Sequence, residues 1–335
     1  MADKRVTKSK EAAFKEHICA MTTSLDHHND HTSGNIPRVT VGVPAYCNES
    51  TIARTLDSVL AQTSFDFEVH ISDDNSPDST GDICRSYAVR DPRIHYTRQP
   101  ATLKYQNFGW LLARARTEYF MWLAGDDYLD PTFIEKCMAT LDSRPDAVLV
   151  TPKVAFYTKG TFTRLSRGTY ALTGSRSRNV SQYLMAPCDN SRMYGLFRSQ
   201  PCQTCFPLES YHAWDWAFCL ATLAHGKHLE LPEVLGHRDL TAPGAYIDLV
   251  DRDARHWFER LLPLAGMTRW AWQHGALPHD TRVYAALLDL NLGRHAEYFR
   301  ARTPSYGRAI TAVHEFLQRY LFWRFQCTDL PDQTR

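Results

Sequence analysis

The chain has 335 residues, of which 44% are hydrophobic, and this length allows one large domain or two with a sizeable buried core. Lysine and arginine together number 38 against 37 aspartates and glutamates, so the formal net charge is +1. This balance excludes a bulk field that would attract nucleic acid or an acidic partner, and any charged ligand must be bound by local groups.

The cysteines and the hydropathy indicate a cytoplasmic protein. Nine cysteines, an odd number scattered from Cys19 to Cys327, suit a reducing compartment better than a disulfide framework. The polar N-terminus lacks the apolar core of a signal peptide, and no run of 18 apolar residues occurs. Residues 1–35 hold few large apolar side chains, so we predict a mobile tail or a loose helix. His27, His28 and His31 form an alternative metal cluster there, but no rigid outer shell supports them.

From Ile36 onward, predicted strands alternate with predicted helices. Strands are predicted at residues 39–43, 67–71, 94–97, 119–123 and 147–151. Helices are predicted at 51–61, 82–90, 106–116 and 131–141. This alternation implies crossover connections and an α/β fold whose central sheet is mainly parallel and flanked by helices.

The pattern loosens after about residue 156. Residues 158–179 are polar without a clear period, which predicts a long surface excursion. A regular segment returns at 193–197, a buried helix is predicted at 214–224, and short strands at 228–231 and 234–235. Residues 250–326 are predicted to be mostly helical.

Polar residues follow three of the predicted strands, namely Tyr46, Asp74 and Asp127. Because ligands bind outside the carboxyl ends of the strands in such sheets, we expect these residues to converge on one crevice. Asp126 and Asp127 end the apolar run "YFMWLAGDDYLDP", where uncompensated charges are costly. The alternatives are helix capping by this pair and an Asx turn at Asp74 in "DNSPD".

The turn after the first strand limits the classes of nucleotide-binding site that are possible. It reads "PAYCNE" instead of G-x-G-x-x-G, and no Walker A motif occurs, which argues against dinucleotide and P-loop sites. A nucleoside diphosphate sugar fits better. A carboxylate accepts the N3–H of uracil or thymine, Tyr46 offers a ring face, and a divalent cation at Asp127 would stabilise the diphosphate leaving group.

The stretches "VTVGVPAYCNES", "FEVHISDDNSPDST" and "YFMWLAGDDYLDP" resemble successive motifs of family 2 glycosyltransferases, over roughly residues 36 to 240. The resemblance implies the GT-A (Rossmann-like) fold with a helical C-terminal extension. It also implies an inverting bacterial-type enzyme that moves a sugar from a UDP- or dTDP-linked donor to an acceptor hydroxyl. The implied parts are a nucleotide-sugar-binding half at 36–155, an acceptor and catalytic-base half at 156–245, and a helical region at 246–335.

The resemblance assigns roles to individual residues. Asp127 matches the acid that binds Mg²⁺ or Mn²⁺, although the family's further acid two positions earlier is here Gly125. Asp215, in "HAWDWAFCLATLAHGKHLELPEVLGHRD", matches the general base on the acceptor hydroxyl; the alternative is a helix cap. The residues assigned to the donor are Pro44, Tyr46, Glu49, Asp74, Lys104, Asn107 and Asp126.

Several other features were considered as sites. Arg98 and Lys104 lie where they could reach a diphosphate, or where they are simply solvated, and His237-Arg238 could meet metal or phosphate. The stretch "DNSRMYGLFRSQ" resembles one on the acceptor side of bacterial members. Cys202 and Cys205, with Cys188 and His212, permit zinc, but free buried thiols are expected.

The sequence does not identify the acceptor or the donor sugar. The acceptor is a glycan, a lipid-linked glycan or a protein side chain, and the donor sugar is not readable. The stretch "AITAVHEFLQRYLFWRF", with Arg319 and Arg324, is expected to pack on the domain, the alternative being contact with an anionic membrane. Two other functions were weighed: a silent sugar-nucleotide-binding scaffold, and a sugar-1-phosphate nucleotidyltransferase, which lacks here its glycine- and arginine-rich first loop.

Overall fold

The computed structural model describes residues 37–240, 246–254 and 257–325. The predicted N-terminal tail, with its histidine cluster, lies outside these residues, and so does the side chain of Arg324.

Nine strands form one mixed sheet. Their bounds are β1 Val39–Ala45, β2 Phe67–Asp73, β3 Ile94–Arg98, β4 Tyr119–Trp122, β5 Tyr128–Leu129, β6 Ala147–Thr158, β7 Thr161–Leu165, β8 Leu196–Arg198 and β9 Lys227–Asp239. The order in the sheet is β3-β2-β1-β4-β8-β6-β9-β5, and β7 pairs with β6. Strands β3, β2, β1 and β4 run parallel, as do β6 and β9, whereas β5, β7 and β8 pair antiparallel with their neighbours. The expected mainly parallel α/β fold is confirmed.

Helices cover both faces of this sheet. Their bounds are α1 Ile52–Leu60, α2 Thr80–Arg90, α3 Gln106–Arg114, α4 Phe133–Ser143, α5 Arg176–Met185, α6 Ser199–Cys205, α7 Trp214–Thr222, α8 Tyr246–Asp253, α9 Trp257–Leu261, α10 Ala265–Gln273, α11 Thr281–Arg302 and α12 Pro304–Phe325. A short 3₁₀ helix spans Ser191–Tyr194. The predicted helical character of residues 250–326 holds wherever the structure describes them.

Strands β1 and β4 are buried on both faces, as their apolar sequences require. Along β4, Tyr119 and Met121 point into a core with α1, α2 and α4, whereas Phe120 and Trp122 point into a second core with α3, α5 and α7. The Trp122 ring is the centre of the second core, with the Phe218 ring centroid 5.1 Å away. The sheet is thereby fixed on both sides, and the loops at its carboxyl edge are held in place.

One prediction of secondary structure was wrong, and another placed strands correctly but divided them. Residues 158–179 are not a surface excursion throughout, because β7 forms a hairpin with β6 and α5 begins at Arg176. Residues 228–231 and 234–235 belong to the single strand β9, which pairs with β6 through register shifts near Pro152. The β6–β7 hairpin and the continuous strand β9 both form by pairing with β6, and the local sequence pattern does not encode such pairing.

The C-terminal helices form a layer beyond the second core. Helix α12 packs along α11, where Gly293 lies beneath the His314 ring and Gly307 lies against Arg300. Exposed apolar side chains on α12 include Val313, Phe316 and Tyr320. Within the described part of the chain, no helix combines the length and the apolarity needed to cross a membrane. The four-part division of the chain stays a prediction.

Candidate active site

A cavity opens where the carboxyl ends of β1 and β2 meet. Ala45 pairs with Asp73 in register, so the residues that follow, Tyr46 and Asp74, lie side by side. The Asp74 N–H donates to the Ala45 carbonyl over 2.8 Å. The cavity has a volume of about 330 Å³ and is lined by Pro44, Ala45, Tyr46, Asp74, Thr102, Lys104, Asn107 and Phe108. The structure therefore brings together five of the residues assigned to the donor.

The Asp74 side chain fixes the adjacent loop, which also lines the cavity. Its Oδ1 accepts from the Leu103 N–H at 2.5 Å and its Oδ2 from the Lys104 N–H at 2.8 Å. Lys104 adopts a positive φ of 58°, a conformation that such a clamp helps to maintain. The Asp74 carboxylate is thus held rigidly, with unused lone pairs on both oxygens.

The turn that follows β2, in "DNSPD", is ordered by the side chain of Asp73 and not by that of Asp74. Asp73 Oδ1 accepts from the Ser76 N–H at 2.9 Å, and its Oδ2 accepts from the Tyr96 hydroxyl and from Arg98. The Arg98 guanidinium also donates to the Ser76 carbonyl. Arg98 is consequently part of the turn's framework, and Asp74 is available to the cavity.

Asn107 and Glu49, both assigned to the donor, have different positions. Asn107 is buried, donates from Nδ2 to the Ser72 carbonyl at 2.9 Å and accepts from the Ser72 hydroxyl, so it joins the start of α3 to the end of β2. Glu49 is exposed and outside the cavity lining, and its Oε2 accepts from the Ser79 N–H just before α2. The structure does not bring Glu49 to the cavity.

The pair Asp126 and Asp127 follows β4. Asp127 is 4% exposed, and Arg238 Nε donates to its Oδ2 at 3.0 Å. Burial raises the pKa of Asp127 to about 7, although the Arg238 charge acts in the opposite direction. Burial also raises the pKa of Asp126. The Arg54 guanidinium donates to the Asp126 carbonyl at 2.7 Å and adds a second positive charge nearby.

Helix capping does not explain this pair. Helix α4 begins at Phe133, and it is Asp130 whose Oδ1 accepts from the Thr132 N–H at 3.2 Å. The partner that compensates Asp127 within the described residues is Arg238, on β9. The neighbouring His237 ring stacks on the Tyr128 ring, with 4.6 Å between the ring centroids.

The missing acid at Gly125 has a steric reason. A Cβ at this position would lie 2.6 Å from Asn48 Oδ1, and that oxygen accepts from the Tyr46 N–H at 2.8 Å. One available carboxylate still fits a magnesium-like ion, which is commonly held by one or two carboxylates together with substrate phosphates. Asp127 is the residue that would hold such an ion.

Asp215 lies in the first turn of α7, after Ala213 at a positive φ of 61°. Its Oδ2 accepts from Asn190 Nδ2 at 2.9 Å, and Asn190 Oδ1 accepts from the Tyr183 hydroxyl at 2.8 Å. Burial raises the pKa of the Asp215 carboxyl, and the bond from Asn190 works against that shift. A partly buried, oriented carboxylate of raised pKa is suited to accept a proton.

Tyr194 connects the acids of the two halves. Burial raises its pKa to about 12, the Arg238 charge lowers it, and the charges of Asp127, Asp215 and Asp126 raise it further. The Arg238 guanidinium carbon lies 4.3 Å from the centroid of the Tyr194 ring. Arg238, which donates to Asp127, also donates from Nη1 to the Ser191 hydroxyl at 3.5 Å, and the neighbouring Asn190 donates to Asp215. A chain of hydrogen bonds through residues 190–191 therefore links Asp127 to Asp215.

The segment "DNSRMYG" contains residues whose roles sequence reasoning missed. Asp189 Oδ1 accepts from the Ser166 hydroxyl at 2.6 Å and from the Ser191 hydroxyl at 2.8 Å. Arg192 is buried and lies beside His228, with 3.2 Å between Nη1 and Nδ1. The family-like stretch was the only signal for this segment, and it gave no individual roles. These contacts anchor the loop that carries Asn190 and Tyr194.

The zinc alternative at the C-x-x-C is not supported. Cys202 and Cys205 are buried in the second core, and burial raises the pKa of both thiols. None of the seven cysteines among the described residues forms a disulfide. The expected free buried thiols are confirmed.

Part of the chain is similar to known glycosyltransferases. Residues 40–202 match the profile described as Glycosyl transferase family 2. A glycosyltransferase called EpsJ, from Bacillus subtilis, is 35% identical over 103 residues, which are 30% of this chain and 29% of EpsJ. A chondroitin synthase from Pasteurella multocida is 33% identical over 31% of this chain and 11% of its own length. These matches thus span less than a third of either relative.

Solved structures support the fold. S. aureus TarS 1-349 superposes with a TM-score of 0.52 at 16% identity, over 86% of this chain and 92% of that one. At this identity the likeness concerns the fold alone. Taken with the crevice at the carboxyl ends of β1, β2 and β4, these matches show that residues 40–202 are similar to glycosyltransferase family 2.

Proposed function

We propose that this chain transfers a sugar from a UDP- or dTDP-linked donor to an acceptor hydroxyl with inversion at the anomeric carbon. The observation that carries the proposal is the arrangement along one crevice. The cavity of Tyr46 and Asp74 lies at the sheet edge, and Asp127 is paired with Arg238. Arg238 also donates to Ser191, next to the Asn190 that donates to Asp215.

The nucleotide is assigned to the cavity. The Asp74 carboxylate, oriented by two backbone N–H groups, accepts the N3–H of uracil or thymine, a hydrogen that cytosine lacks. Tyr46 is 52% exposed and offers its ring face to the base. Structures of the fold neighbour TarS were solved with UDP and with UDP-GlcNAc, which supports a uridine donor.

The diphosphate is assigned to the region between the cavity and Asp127. When bound, Mg²⁺ or Mn²⁺ at Asp127 would neutralise charge on the leaving diphosphate. Asp126 faces the donor beside it. Lys104, whose backbone Asp74 fixes, supplies a positive charge from the chain itself. Arg238 holds the Asp127 carboxylate in position.

Asp215 is assigned as the general base. Its carboxylate takes the proton of the acceptor hydroxyl while the acceptor oxygen bonds to the anomeric carbon and the bond to the diphosphate breaks. Asn190 and Tyr183 fix the orientation of this carboxylate. Attack from the side opposite the leaving group inverts the configuration.

We place the enzyme in the cytoplasm, in bacterial glycan or glycoconjugate synthesis, with a glycan, lipid-linked or protein acceptor. The exposed side chains Val313, Phe316 and Tyr320 on α12, with Arg319, support peripheral contact with an anionic membrane. Flotation with anionic and neutral vesicles tests this contact. Phe316→Glu should reduce flotation with anionic vesicles, and absence of the wild type from those vesicles would contradict it.

A panel of UDP-, dTDP- and GDP-sugars, each with and without Mn²⁺, tests the donor. We expect thermal stabilisation and slow hydrolysis with UDP- or dTDP-sugars, enhanced by Mn²⁺. Binding of GDP-sugars alone would refute the assignment to Asp74. Tight donor binding without turnover on any acceptor would favour the scaffold function, and synthesis of a nucleotide sugar from a sugar phosphate would favour the nucleotidyltransferase.

A further inference from the structure

Strands β2 and β3 carry a group of potential metal ligands away from the acids of the crevice. Glu68 and His70 are two positions apart on β2 and thus share one face, and His95 on β3 pairs in register with His70. One ligand atom from each side chain lies within 4.8 Å of the other two. Among the described residues, this is the one such group of three histidine, cysteine or acidic side chains.

The distances fit a single ion. His70 Nε2 lies 3.2 Å from Glu68 Oε1, and His95 Nε2 lies 4.0 Å from Glu68 Oε2. Atoms that each bind zinc at about 2.0–2.2 Å in a tetrahedron are separated by about 3.3–3.6 Å. A small rotation of the His95 side chain, which is half-exposed, is enough to complete the set.

His70 Nε2 is a buried nitrogen that is poorly satisfied. It is inaccessible to water, and Glu68 Oε1, 3.2 Å away, forms an ion pair with it only when the imidazole is protonated. Buried polar atoms of this kind are rare without an ion, a water or a strained function. A metal between the imidazole and the carboxylate satisfies both groups.

The surroundings orient the carboxylate. The Thr40 hydroxyl, which is fully buried, donates to Glu68 Oε1 at 2.8 Å, and Thr117 Oγ1 lies 2.7 Å from Thr40 Oγ1. Outer hydrogen bonds of this type fix metal ligands and raise affinity. The exposed side of His95 leaves room for a water as a further ligand.

We propose that Glu68, His70 and His95 bind a divalent transition-metal ion of the zinc type. Two imidazoles and one carboxylate suit zinc, whereas Mg²⁺ prefers oxygen ligands, so this site is chemically distinct from Asp127. The ion ties the outer strand β3 to β2. On the same face of β2, two residues after His70, Ser72 bonds to Asn107 beside the donor cavity, so the ion also stiffens the base of that cavity.

Metal-stripped full-length protein is titrated with Zn²⁺ by calorimetry, and with Co²⁺ by visible absorption. We expect about one tight site per chain, lost in His95→Gln and in Glu68→Gln. His225→Gln, an exposed histidine elsewhere, is the matched control and should bind normally. A variant with His27, His28 and His31 changed to Gln should also keep the site. Equal zinc affinity in wild type and His95→Gln would overturn the proposal.

The melting temperature provides a second test, which does not require the number of bound ions. Zn²⁺ should raise the melting temperature of the wild type and leave that of His95→Gln unchanged. Thr40→Val, which keeps the shape but removes the hydroxyl, should weaken zinc binding by about 10- to 100-fold. Equal thermal stabilisation of wild type and His95→Gln by Zn²⁺ would likewise refute the site.

Discussion

Asn190 Nδ2 donates a hydrogen bond to Asp215 Oδ2 over 2.9 Å. Asn190 adopts a positive φ of 48°, and its side-chain oxygen is fixed by the Tyr183 hydroxyl. This bond stabilises the charged form of Asp215 and lowers its pKa, whereas burial raises it. Asn190 therefore positions the proposed base and limits the rise of its pKa.

Asn190→Gly should move the acid limb of kcat/KM to higher pH. Glycine tolerates the positive φ, so the backbone is retained while the donor to Asp215 is lost and the pKa of Asp215 rises. The measurement is a pH–rate profile of the variant and the wild type. Tyr183→Phe, which leaves the bond from Asn190 in place, is the control and should shift the limb less. An unchanged limb in Asn190→Gly would show that Asp215 is not the titrating base.

Asp215→Asn should reduce kcat by about 10²- to 10⁴-fold, the usual contribution of a general base. The amide keeps the size of the side chain but accepts no proton, so the dissociation constant of the donor should be nearly unchanged. Single-turnover kinetics and donor titration separate these two effects. A variant that no longer binds the donor would remove Asp215 from the role of base.

Gly125→Asp restores the acid seen in many family members, yet it should not strengthen Mn²⁺ binding. Its Cβ would lie 2.6 Å from Asn48 Oδ1, so we expect a loss of about 1–3 kcal/mol of stability from crowding. Denaturant unfolding and Mn²⁺ titration are the measurements. Gly125→Ala should lower the free energy of unfolding by a similar amount in the otherwise wild-type protein. In an Asn48→Ala background the loss should be smaller, because the crowded oxygen is absent. Tighter Mn²⁺ binding by Gly125→Asp would contradict this explanation.

The positions of Tyr46, Asp74 and Asp127 could be predicted because apolar runs reveal strands, and parallel strands bring their ends together. Side-chain direction is not encoded in that pattern, which is why Glu49 was expected at the cavity although it bonds to Ser79. The pairing of Asp127 with Arg238 joins residues 111 positions apart through a strand with register shifts. Such contacts follow from the assembled sheet and cannot be read from local sequence.

Arg238→Met should destabilise the fold by about 3 kcal/mol or more, because it leaves the Asp127 carboxyl buried without its partner. Adding Asp127→Asn should recover part of that loss, since a neutral amide needs no counter-charge. Urea unfolding of the two single variants and the double variant forms the thermodynamic cycle. Strictly additive losses would show that the two side chains do not interact energetically.

His228 provides a prediction about pH and stability. It is 1% exposed; its Nδ1 faces Arg192 Nη1 at 3.2 Å and its Nε2 lies 3.0 Å from Thr222 Oγ1. Burial, and then the Arg192 charge, hold the pKa of His228 well below 6.5. Below about pH 6.5 the unfolded chain binds a proton here that the folded chain does not, so acid favours unfolding at this residue.

The free energy of unfolding should therefore fall as pH drops below about 6.5, with His228 contributing a slope of up to about 1.4 kcal/mol per pH unit. His228→Gln keeps a donor and an acceptor but does not titrate, so its profile should be flatter by that amount even if its overall stability is lower. Urea unfolding at a series of pH values between about 5 and 7.5 measures both slopes. Because the His228 contribution is the difference between the two profiles, titration of the other histidines cancels, and parallel profiles would show that His228 is protonated in the folded protein.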